Sequence, residues 1–434
     1  MQSKKYNSFF PLLTKTLLVT LAVLIPPIVN AQEESINYQE QVFLDNIKSI
    51  QFYPNSLPIS PPIIPLNGNA RLILSFDDLD EEAKNYVYSI VHCNVDWTPS
   101  DIDELDYLDG FPEGDIDEYN FSFNTLMPYT HYDLVLPNED VNWTVSGNYL
   151  LKVYEDEDEK RLAFTRRFMV VDPIMDVAAK LTPTAMVSNR ETHHEFDFEV
   201  IHKDIKINNP DKEIRVVVQQ NHRWDNAIFD LKPVFVRDER IVYNHQNKVL
   251  FPAGKEFRFL DIRTFRSLQQ GILELIEGDD FYEVTIIPDE SRAYSPYSSN
   301  VDLDGNYIIE SLQTNNPNLR GDYAEVLFSL RSNTEYYDGE VYVVGGFTDW
   351  QLQEEFRMAY NPTLPGYLTK GLLKEGFYDY AYAYVPNNSS HFILSELEGD
   401  AYQTQNQYSI LVYYRPFGQR YDRLVSIHNF DSRP

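Results

Sequence analysis

The 434-residue chain has one cysteine, Cys93. A single thiol closes no internal disulfide, which excludes the small disulfide-stapled extracellular scaffolds. Basic residues are scarce as well: 36 Lys and Arg stand against 67 Asp and Glu, a formal net charge of −31. So acidic a chain repels phosphate backbones and anionic lipid surfaces, and nucleic acid is excluded as a partner. Past the first 31 residues no apolar run is long enough to span a membrane as a helix. Helical periodicity is also nearly missing. FRSLQQGILELIEGD (265–279) is the one fair helix candidate, and Gly271 weakens it.

What is present begins with a leader. Lys4 and Lys5 precede the apolar run LLVTLAVLIPPIV, and Val29-Asn30-Ala31 has small residues at the spacing a signal peptidase reads. Cleavage after Ala31 and export are expected. The cleavage point carries no cysteine, so no direct lipid anchor is expected. Losing the leader's three lysines moves the charge from −31 to −34. Stability without disulfides must come from large cores, for which 31 Tyr and 26 Phe supply the material.

Short alternating segments rich in β-branched and aromatic residues dominate. Among them are RLILSF (71–76), YVYSIVHCNV (86–95), NYLLKVYE (148–155), FTRRFMVV (164–171), FDFEVIHK (196–203), EIRVVVQQN (213–221), FYEVTIIP (281–288), AEVLFSLR (324–331) and EVYVVGGF (340–347). This pattern predicts an all-β chain. VVDPIMD near 173 and the polar stretch SLQTNNPNLRGD (311–322) suggest boundaries. The expected plan is a signal peptide (1–31) and three consecutive immunoglobulin-like or early-set β-sandwich domains at 32–172, 173–314 and 315–434.

YVYSIVHCNVDW (86–97) places Cys93 beside His92, with Asp96 close behind. On a strand Val87, Ser89, Val91, Cys93, Val95 and Trp97 share one face, while His92, Asn94 and Asp96 share the other. Nucleophilic catalysis needs a cysteine and its base to converge. Neighbours on a strand diverge, so Cys93 reads as a core thiol on the buried face.

The segment that starts there, VHCNVDWTPSDIDELDYLDGF, continues with FSFNTLMPYTHYDLVLPN (121–138), WTVSGNYLLKVY (143–154), QQNHRWDNAIF (219–229), AGKEFRFLDIRTFRS (253–267) and DLDGNYIIE (302–310). In that order, over most of residues 40 to 315, these segments resemble the type 9 secretion system plug proteins of Bacteroidota. The resemblance implies a periplasmic, non-catalytic subunit without cofactors. It further implies a partner, the very large outer-membrane β-barrel translocon, whose periplasmic opening the subunit occludes at rest.

The C-terminal part, EVYVVGGFTDWQLQEEFRM (340–358) and LLKEGFYDYAYAYV (372–385), is similar to early-set sandwiches of starch- and glycogen-binding modules. Trp350 falls on their sugar-stacking tryptophan, which supports an alternative function as an exported glucan-binding accessory protein. Ala381 stands where those modules carry a sugar-contacting lysine, and only Tyr402 is placed to replace their second tryptophan.

Other clusters have two readings each. NHRWDN (221–226) and FRFLDIRTFR (257–266) gather Arg223, Trp224, Asp225, Arg258, Asp261, Arg263 and Arg266. They form either a binding surface or an internal set of Arg–carboxylate pairs, and the second is favoured because carboxylates are plentiful. The interface candidates are Arg223 and Trp224, with Tyr294 and Tyr297 of YSPYSS (294–299). Asp302, Asp304 and Gly305 have the offsets of a calcium loop, yet Ser311 stands where a bidentate Glu belongs, so a tight turn is favoured. THHEF (192–196) reads as exposed polar residues, and EDEDEK (155–160) as a solvated loop.

Overall fold

A computed structural model describes residues 38–80, 82–156, 160–203 and 205–433. The leader and its cleavage point, and the centre of EDEDEK, lie outside the described residues. The chain is all-β, as its alternation predicts: every strand named above is present, and the α-helices described are four single turns of four residues each. No described helix is long and apolar enough to cross a membrane.

The first unit is a sandwich of two sheets. One runs Gln41–Val42, Lys160–Val171, Gly147–Asp156, Tyr86–Cys93 and Glu113–Asp115, with Ile63–Pro65 lying parallel beside Lys160–Val171. The other runs Ile47–Pro54, Leu72–Asp78, Thr130–Leu136 and Glu118–Phe121. Between them lies an aromatic core: Phe76 stacks on Tyr132, and Tyr149 on Phe168, at centroid separations of 5.0 and 5.1 Å. Offset and edge-on ring pairs of this kind add to the burial of apolar area.

Cys93 of Tyr86–Cys93 is the buried core thiol that the strand pattern predicts. Both faces of that strand are buried, and the sandwich core lies on the His92 side, with Tyr86, Tyr88 and Ile90. The Cys93 side faces a second apolar cluster, where Cys93, Val95, Trp97, Leu150 and Met169 meet Val217, Leu411, Tyr413 and Leu424. Alternation showed correctly that the two side chains diverge. It could not show that the far face is covered by another part of the chain.

The second unit packs a sheet ordered Asp176–Thr182, His193–Ile201, Arg240–Tyr243, Phe235–Arg237 on a three-stranded sheet. That smaller sheet is Ile214–Gln220, Gln407–Tyr414 and Arg423–Asp431, so two of its three strands come from more than 180 residues further on. The third unit is a ten-stranded sheet built mostly from residues 323–386. Its members also include Arg258–Asp261 and Tyr307–Ile309, paired with Gly376–Pro386, and Tyr282–Ile286, paired with Tyr323–Arg331. The boundary expected near 314 therefore does not separate sheets. The Asn- and Pro-rich stretch around it is a connection within an interlaced structure, and residues 38–434 make one compact unit.

The helix candidate is also corrected. Ile272–Glu277 is an edge strand paired with Tyr282–Ile286, and Gly271 with φ +84° sits just before it. Because Leu273 and Ile276 stay exposed on this edge, the apolar spacing in ILELIE reflects no buried helical face.

Candidate functional site

The three units meet around a cleft of about 970 Å³. The first unit contributes Glu40, Trp97, Arg166 and Arg167, the second Arg223 and Trp224, and the third Asp349 and Trp350. NHRWDN reaches the cleft as the loop after Ile214–Gln220, where Asn221 and His222 both take positive φ, near 53° and 56°. The Asn221 carboxamide accepts from the Gln407 N–H at 2.9 Å and donates to Asn406 at 2.9 Å, which fixes the bend.

Arg223 is buried at 7% exposure. Its guanidinium donates twice to Asp225, at 3.0 and 2.6 Å, and lies 3.9 Å from the centre of the Trp350 ring. Trp224 is half-buried and meets Trp97 edge-on at 5.0 Å, while Arg167 lies 4.3 Å over the Trp97 ring. The internal reading of this cluster matches the geometry: these groups join the units to one another. Arg258 behaves alike, bonding Glu398 at 2.9 Å and Asp289 at 2.6 Å while 9% exposed. Arg263 pairs with Asp261 and Glu310.

Trp350 is not a free stacking platform. It is 9% exposed, with Arg223 on its ring and Phe257 at 5.4 Å. Gly305 closes the remaining approach, since a Cβ there would lie 2.3 Å from the indole; its φ of +84° also favours glycine. A pyranose has no open face to stack on. Of the two tyrosines, Tyr294 is fully exposed, whereas the Tyr297 hydroxyl donates to Glu256 and to the Gln403 carbonyl, tying its loop down.

Sequence reasoning missed Glu40, Arg166 and Asp349. Arg166 is 6% exposed and lies 3.3 Å from the Asp349 carboxylate, and the Gln351 side chain donates to the Glu40 carbonyl. Burial, and then the neighbouring Asp349, raises the Glu40 carboxyl above its ordinary range. Partners more than 180 residues apart leave no local signal. Only the unusual run of two arginines inside the apolar strand FTRRFMVV could have drawn attention.

Burial pushes the Cys93 thiol up to about 12 and holds His92 down to about 4, where its Nδ1 meets the Ser100 hydroxyl at 2.7 Å. No Cys–His dyad forms. THHEF is corrected: His194 and Glu195 are buried, His194 bonding the Tyr408 hydroxyl and Tyr402 carbonyl, Glu195 accepting from the Ala185 and Asn247 N–H groups.

Asp302 accepts from the Phe257 and Asp304 N–H groups, and Asp379 from those of Leu303 and Gly305, so these carboxylates brace a turn. Among the described residues no group of three His, Cys, Asp or Glu side chains is placed to hold a metal. Burial, and then the neighbouring Asp302 carboxylate, push both Asp304 and Asp379 up to about 7. A folded-state value above the unfolded one means the stabilisation is full below about pH 4 and is lost as pH rises through about 7. Asp379→Asn is expected to flatten that part of the stability profile. Urea melts of both proteins between pH 5 and 8 check it; parallel curves would refute it.

Residues 47–172, the first sandwich, match the family model described as the type 9 secretion system plug protein 1st domain. The crystal structure of a hypothetical protein from Parabacteroides merdae is 34% identical, covers 91% of this chain and 99% of its own, and superposes with a TM-score of 0.87. This chain belongs to the type 9 secretion system plug protein family. The likeness to the Parabacteroides protein extends well past residues 47–172, so that protein shares the second and third units as well. A collagen adhesin from S. aureus aligns at 7% identity and a TM-score of 0.12, which carries no argument. No curated protein matches the chain.

Proposed function

We propose that this chain is a non-catalytic periplasmic subunit that binds the outer-membrane barrel of the type 9 secretion system and covers its periplasmic opening in the resting state. The plug-domain match over residues 47–172 carries this reading. The construction of the body supports it. The sheets of the second and third units each pair strands from both sides of residue 314, and a buried ion pair joins the first unit to the third, Asp77 to Lys374 at 2.6 Å. A stopper has to keep its shape against a pore, and interlaced sheets resist being pulled apart. Release on arrival of substrate calls for a partly polar, separable contact rather than a continuous apolar one. The acidic surface and the exposed Tyr294 suit such a contact.

A tagged copy purified from detergent-solubilised outer membranes is expected to bring down a giant β-barrel in near-equal amount, identified by mass spectrometry. If the barrel is present in those membranes but does not co-purify, the occlusion reading fails.

A further inference from the structure

We propose that the Glu118–Phe121 strand is a docking edge, onto which a partner protein adds an extended segment alternating basic and apolar residues. This goes beyond the plug reading and stands without it. The strand is the outermost member of its sheet, paired on one side only, with Thr130–Leu136. In the same register the Ser122 N–H donates to the Tyr129 carbonyl at 2.8 Å. Alternation in an antiparallel ladder then turns the backbone groups of Glu118 and Asn120 inward and those of Tyr119 and Phe121 outward. The next outward N–H, that of Phe123, already donates to an approaching piece of chain, the Leu319 carbonyl at 2.8 Å. An open row of outward groups is a template for strand addition.

The side chains specify what would be added. Tyr119 and Phe121 share the face of Tyr132 and remain 45% and 56% exposed, their rings 5.9 Å apart, so apolar side chains fit there. On the opposite face Glu118 stands directly across from Asp133. Like charges so placed repel; Asp133 has His131 Nε2 at 3.4 Å beside it, whereas Glu118 is exposed. Asp115 and Asp117 extend the same exposed acidic stretch. Lysine or arginine on that side of an incoming strand would relieve the repulsion. Two other exposed apolar edges are unsuited to this partner: Ile272–Glu277 carries a bulge, and Phe235–Arg237 sets Arg237 opposite Arg240.

The test uses the full chain with an eight-residue synthetic peptide of alternating lysine and valine. Residue-resolved hydrogen–deuterium exchange reads the edge, and fluorescence anisotropy reads affinity. The Tyr119 and Phe121 amides are expected to become protected, whereas a peptide of alternating glutamate and valine leaves them exchanging freely. Glu118→Lys, an exposed change whose fold is checked by its melting temperature, is expected to weaken the lysine peptide about tenfold and to favour the glutamate peptide. Protection by both peptides alike, protection elsewhere only, or an unchanged affinity in Glu118→Lys would overturn the inference. So would self-association that protects the same amides without peptide, because a second copy would then be the occupant.

Discussion

Lys374→Ala is expected to lower the unfolding free energy by about 3–5 kcal/mol, the range for removing one partner of a buried ion pair. Lys374 and Asp77 have side chains 1% and 0% exposed, and their contact joins the first unit to the third. Burial alone would raise the Asp77 carboxyl, but Lys374 and His131 more than offset it and hold the group below its ordinary range. The Tyr323 hydroxyl donates to the same carboxylate oxygen as Lys374, at 2.6 Å, and His131 Nδ1 lies 2.6 Å from the other. Alanine leaves that charge buried with two hydrogen-bonding neighbours and no ammonium. Lys48→Ala is the control: its partner Glu355 lies across the same pair of units, but the contact is partly solvated and worth under about 1 kcal/mol. Urea titration of the three proteins checks the contrast. Equal losses for both lysines would mean that the buried pair has no special weight.

Trp350→Ala is expected to cost about 3–5 kcal/mol, as for other large aromatic side chains removed from a core. The indole fills the space between Phe257, Gly305 and Arg223, and its loss leaves a cavity beside a guanidinium whose cation–π partner has gone. The same pair of proteins answers the glucan question. Neither parent nor variant is expected to be retained on immobilised starch, while a thermal melt registers the lost stability. Starch retention by the parent that disappears in a still-folded variant would restore Trp350 as a sugar platform.

How much of this could be read in the sequence depends on the range of the interaction. Alternation over AEVLFSLR and EVYVVGGF identifies strands because period-two patterning is a local property, and both are found, at Tyr323–Arg331 and Gly339–Val344. Local pattern also separated His92 from Cys93. It placed Cys93 on a buried face too, but could not show that the cover there comes from Leu411 and Tyr413. The central site was legible only in part. The NHRWDN cluster stood out by composition, whereas Arg223 meeting Trp350, or Arg166 meeting Asp349, depends on sheet pairings that leave no mark on either segment. ILELIE misled for a related reason: an edge strand need not obey the rule that one face is buried.

The interlacing of strands has a consequence for how the molecule comes into being. Residues 38–172 carry both sheets of the first sandwich and can close that core without the later strands. Ile214–Gln220 must instead wait for Gln407–Tyr414, nearly two hundred residues later, before its neighbour in the sheet exists. Until then one side of the second core has no cover. A chain stopped near residue 400 would carry a first unit with its sheets complete ahead of a second that is short of two strands. Residues 407–431 are thus the latch of the middle of the molecule: the second core is covered only when they are in place.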